Sequence, residues 1–77
     1  MKISKRERDV LCLMCLSNKQ IAEHLNISIV TVKSHIVNLL NKFGTNNRSQ
    51  VIICALKQNV IDLQDIVIEL SLIHISE

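Results

Sequence analysis

The sequence predicts an all-α protein, a compact four-helix domain followed by either an extra C-terminal helix or a disordered tail. Three observations predict it. The 77 residues contain one Gly and no Pro, which disfavours a hairpin-rich β protein whose tight turns want Gly at positive φ. Residues are 48% hydrophobic and 21% charged, a globular balance rather than a disordered one. Four segments open with helix caps and carry apolar residues at helical spacing. A chain of this length forms one domain and buries only about 60% of its unfolded surface, so the core must be compact.

The first helix opens at Ser4, where Ser4-Lys5-Arg6-Glu7 forms a capping box. Val10, Leu11 and Met14 then share a face. Ser17-Asn18-Lys19-Gln20 is a second box, and Ile21, Ala22 and Leu25 supply the buried side of the second helix. Asn26 suits the left-handed turn that ends it.

The third helix is the clearest. Ser28 caps it, Ile27 and Val32 form a hydrophobic staple, and Gly44 terminates it. Ile29, Val32, Ile36, Leu39, Leu40 and Phe43 recur with helical period and form its buried stripe. The remaining surface, Val30, Thr31, Lys33, Ser34, His35, Val37, Asn38, Asn41 and Lys42, contains no acid. A fourth helix, 48–58, starts from Asn47 and is apolar at Val51, Ile52, Ala55 and Leu56. Beyond Asn59 the pattern is ambiguous. Leu63, Ile66, Val67 and Leu70 suit a helix opened by Asp62, whereas Ile68, Leu70 and Leu72 alternate as in a strand; helix is favoured for the first half.

Charge is unevenly divided. Residues 1–58 set nine bases against three acids, a net +6, whereas residues 59–77 carry four acids and no base, a net −4. A basic body points toward a polyanion, or toward a solubilising bias. Cys12, Cys15 and Cys54 lie in apolar runs and read as buried free thiols of a reducing cytoplasm. The Cys12, Cys15, His24 and His35 set lacks zinc-finger spacing, so no metal is expected. A single glycine is too few for a phosphate-cradling loop, and the single aromatic, Phe43, excludes a base-stacking platform. No cofactor, membrane span or enzyme activity is expected.

Two helices joined by the three-residue turn Asn26-Ile27-Ser28, the second with an acid-free outer face, describe a helix-turn-helix. Such a helix packs one stripe on its scaffold and offers short polar and basic side chains to the major groove of double-stranded DNA, where carboxylates would repel phosphates. Lys33 suits a phosphate or a guanine. Thr31, Ser34 and Asn38 are short donors and acceptors, and Val30 or Val37 can pack on a thymine methyl. Lys19, Lys42 and Arg48 are further phosphate candidates.

The sequence resembles the LuxR-type (NarL/FixJ, GerE) four-helix DNA-binding domain of bacterial transcription regulators. The stretches that carry the resemblance are I-S-K-R-E-R-D-V-L at 3–11, S-N-K-Q-I-A-E-H-L-N-I-S at 17–28, T-V-K-S-H-I-V-N-L-L-N-K-F-G at 31–44, and N-R-S-Q-V at 47–51. It covers residues 3–61; the domain is read as 1–61, with 62–77 an acidic, apolar tail. The resemblance implies a recognition helix over 29–43, with Lys33, Ser34 and Val37 at the groove. It implies Thr31, His35 and Ser17, Asn18 and Lys19 near phosphates. It also implies a homodimer through Val51, Ile52, Ala55 and Leu56, with RNA polymerase as a further candidate partner.

The chain departs from that pattern twice. Two residues are missing between the first helix and the S-N-K cap, equivalent to a rotation of about 200°. The first helix must therefore end early or shift register, which puts Arg6 and Arg8 near DNA in doubt. The closing S-L-I-H-I-S-E looks like a translated sequencing-adapter scar, a segment to leave out of fold reasoning. The alternatives are a protein-interaction module that titrates a related regulator without binding DNA, and a promoter-reading domain like that of a sigma factor.

Overall fold

A computed structural model of the chain describes residues 2–67. Four helices follow in order: α1 (Lys5–Cys12), α2 (Asn18–Leu25), α3 (Ile29–Phe43) and α4 (Arg48–Lys57), then a single 3-10 turn at Leu63–Asp65. The longest, α3, packs against α1, α2 and α4. The core is correspondingly centred on its inner stripe, where Val32 and Leu39 are fully buried against Val10, Leu11, Ile21, Val51 and Ala55.

Local chemistry sets most boundaries. Ser4 and Glu7 exchange the two bonds of a capping box, 3.1 and 2.9 Å, and Ser17 and Gln20 repeat it at 3.1 and 3.0 Å. Ser28 Oγ accepts from the Thr31 amide at 3.1 Å, and Asn47 Oδ1 from the Ser49 amide at 2.8 Å. These side chains occupy donors that the first helical turn leaves unpaired. Asn26 (φ 56°) and Gly44 (φ 67°) end α2 and α3 in the left-handed region, as the sequence predicts. Asn59 (φ 58°) turns the chain after α4 in the same way, with the Val60 amide closing on the Ala55 carbonyl at 2.9 Å.

Four expectations are corrected. α1 ends early at Cys12, one of the two outcomes expected of the shortened connector, so Met14, expected on the helical face, lies in a turn instead. It is buried there all the same, together with Leu13 and Leu16. Ile29, expected on the inner stripe, is 41% exposed at the first position of α3, one turn short of the buried Val32. Cys15 is exposed in the connector and Cys12 and Cys54 are half-buried, so the thiols are not core residues.

The helix expected after Asp62 is only the 3-10 turn, and Ile66 beyond it is extended. This segment docks on the domain: Ile61 is buried, the Val67 amide donates to the Cys12 carbonyl at 2.8 Å, and Arg8 donates to the Val60 carbonyl and pairs with Asp65 at 3.3 Å. Residues 60–67 thus form a strap packed on the helices. The readings placed on Ile68, Leu70, Leu72 and the closing S-L-I-H-I-S-E lie outside the described residues.

Candidate nucleic-acid interface

The outer face of α3 is built by default. Once Val32, Ile36 and Leu39 turn inward, the helical repeat sends Val30, Lys33, Ser34, Val37 and Asn38 outward. These five line one shallow concavity. Val30 is 74% and Val37 53% exposed, so two branched apolar side chains stand in water beside Lys33 and Ser34. Lys33 makes no hydrogen bond or ion pair among the described residues, so its ammonium is available to an anion. The face carries no carboxylate along the whole of α3.

Thr31 and His35 are less free. The Thr31 hydroxyl lies 2.9 Å from Ser28 Oγ and belongs to the cap, and His35 is half-buried. Across the turn, Lys19 is exposed and lines a second concavity with Ala22, Asn26, Ser28 and Ile29. Glu23 shares that concavity and is the acid nearest to the groove-facing region in sequence.

Two expected phosphate contacts are engaged inside the fold. Lys42 Nζ donates to Glu7 Oε1 at 2.6 Å and to the Lys2 carbonyl at 3.0 Å. Arg48 reaches back to the α1–α2 connector, its Nε donating to the Met14 carbonyl (3.0 Å) and its Nη2 to the Leu16 carbonyl (2.7 Å). Its Nη1 donates to Asn18 Oδ1 at 2.6 Å. Desolvation lowers the Arg48 pKa from its ordinary value, with the neighbouring Cys15 acting in the opposite direction. Nothing in the sequence marks either side chain as internally paired, because the partners are 30 or more positions away.

The expected dimer residues separate in the same manner. Val51 and Ala55 have no exposed surface and belong to the core, which removes them from any seam between copies. Ile52 and Leu56 are half-buried, and Ile53, not among the expected residues, is exposed. A weakly amphipathic apolar run gives no sequence signal for which of its sides faces in.

Residues 1–55 match the family described as GerE: Bacterial regulatory proteins, luxR family. The chain belongs to the LuxR family of bacterial regulatory proteins. Among LuxR-family relatives, it is 39% identical over 62 residues to the transcriptional regulatory protein LiaR of Bacillus subtilis. It is 38% identical over 61 residues to the response regulator protein VraR of Staphylococcus aureus, and equally so to VraR of Staphylococcus epidermidis. These matches take in 78%, 77% and 77% of this chain but only 29% of each relative. The chain thus spans less than a third of the length of the LuxR-family regulators it matches. The resemblance drawn from the motifs is therefore upheld at the level of the family.

Proposed function

We propose that the chain binds double-stranded DNA sequence-specifically and regulates transcription, with α3 seated in the major groove. The observation that carries this reading is the outer face of α3, where Lys33 has no partner among the described residues, Val30 and Val37 are exposed, and α3 itself carries no carboxylate to oppose a phosphate. A major groove about 12 Å wide accepts a helix presented this way. Lys33 and Ser34 then meet base edges, Val30 or Val37 a thymine methyl, and Asn38 a base edge or a phosphate. Lys19, His35 and the Ser17-Asn18 start of α2 lie toward the DNA backbone, as the first helix of such a motif crosses it. Lys42 and Arg48 support the fold under this reading. Two copies joined near Ile52, Ile53 and Leu56 would read half-sites about 34 Å apart. The work is done at the chromosome, in the bacterial cytoplasm.

Selection from a randomised duplex pool, followed by titration of the enriched duplex at several salt concentrations, tests the proposal. A recurrent motif and an affinity that falls steeply with salt are expected. Lys33→Ala should weaken binding by about 1–3 kcal/mol and relax one position if the lysine reads a base. Uniform weakening with a salt slope smaller by about one would place it on a phosphate. Absence of any salt-dependent duplex binding overturns the proposal.

A further inference from the structure

We propose that Arg48 is a positioning residue for DNA binding: its guanidinium fixes the Asn18 carboxamide so that the amide donor, and not its oxygen, is left for a backbone phosphate. This rests on the DNA-binding reading above. A guanidinium has donors only, so its 2.6 Å contact with Asn18 must be made to the carbonyl oxygen of the carboxamide. The other two bonds, to the Met14 and Leu16 carbonyls, anchor the planar fork in the connector that precedes α2. The fork therefore cannot follow Asn18 if the carboxamide rotates. With Oδ1 taken, Nδ2 of Asn18 has no partner among the described residues, and the residue is only half-buried.

The consequence is electrostatic. An unconstrained Asn presents either an NH2 or a carbonyl dipole, and only the first attracts a phosphate oxygen. Arg48 removes the wrong orientation before DNA arrives. Because Arg48 is one of the first residues after the recognition helix and its cap, its fork also ties the start of α2 to the far end of the helix-turn-helix.

The test uses the full chain and the duplex selected with it. Asn18→Ala and Arg48→Lys should each weaken binding roughly tenfold, the loss of one bond to a charged group. Neither removes a positive charge, so the salt slope should stay unchanged. The double variant should bind no more weakly than Asn18→Ala alone, since Arg48 acts through Asn18. A further tenfold loss in the double variant would mean that Arg48 acts only on general stability, and would overturn the proposal. Asn18→Asp keeps the partner of Arg48 and the fold but turns an oxygen toward the phosphate. It should bind more weakly than Asn18→Ala, and wild-type affinity in Asn18→Asp would equally overturn the donor role. Failure of the unaltered chain to bind any duplex is distinguishable, because it precedes every variant and removes the DNA-binding reading together with this one.

Discussion

Lys42 Nζ stands 2.6 Å from Oε1 of Glu7, a residue that is only 5% exposed. The same oxygen accepts the Ser4 amide at 2.9 Å, so one carboxylate closes the α1 cap and ties α1 to the C-terminal end of α3. The Lys42 ammonium lowers the Glu7 pKa from its ordinary value of 4.5, the Ser4 amide adds to this, and burial opposes it.

Folding stability should depend on this carboxylate in acid. The folded-state pKa lies below the unfolded one, so the unfolded chain takes up the proton first as pH falls. The stabilisation is complete above pH 4.5 and is lost as pH falls through the depressed folded value. Glu7→Gln keeps a competent cap but should cost about 1–2 kcal/mol at neutral pH. Urea melts across the acid range should show the variant and parent converging as pH drops.

Lys42→Met should cost at least as much, about 2 kcal/mol, because it leaves the buried Glu7 carboxylate without its cation, although the 35% exposure of the lysine side chain lets water screen part of the pair. DNA affinity of this variant should be close to that of the parent once folding is accounted for. Urea midpoints read beside duplex titrations check both statements.

Two positions on α3, two residues apart, should respond in opposite ways. Leu39→Ala empties a fully buried site and should destabilise by about 3 kcal/mol, a large share of the stability of a small domain. Val37→Ala, two residues earlier, should leave the urea midpoint nearly unchanged and alter which duplexes are bound. Denaturation and selection experiments run in parallel separate the two.

Gly44→Ala should cost about 1 kcal/mol purely through backbone conformation, because a Cβ there meets nothing within 4 Å while φ is +67°. Asn at the same place should cost less, since it tolerates the left-handed region better than Ala does. Thermal melts of the two variants should rank accordingly.

Arg8→Ala should loosen residues 60–67 without unfolding the four helices. Its pair with Asp65 is largely solvated and contributes little, so the effect comes mainly from freeing the Val60 carbonyl. Faster hydrogen exchange at the Val67 amide, which is bonded to Cys12, is the expected sign.

Much of this protein was legible before its coordinates. The caps at Ser4, Ser17, Ser28 and Asn47 and the turns at Asn26 and Gly44 depend on bonds within a few residues, so the chain order alone displays both partners. The acid-free face of α3 is equally local. It follows from composition and a 3.6-residue repeat, with no knowledge of what lies beneath the helix.

Tertiary structure alone decided which charges are spent and which apolar side faces in. Lys33 and Lys42 read alike as bases on one helix, yet Lys42 meets a carboxylate 35 positions away and Lys33 meets none among the described residues. Arg48 reads as a phosphate ligand and is instead bonded to Met14, Leu16 and Asn18. Val51 and Ala55 read as a seam and form core. The physical reason is the same for all of them. A capping bond is fixed by neighbours along the chain, whereas the environment of a long side chain depends on which distant backbone arrives beside it.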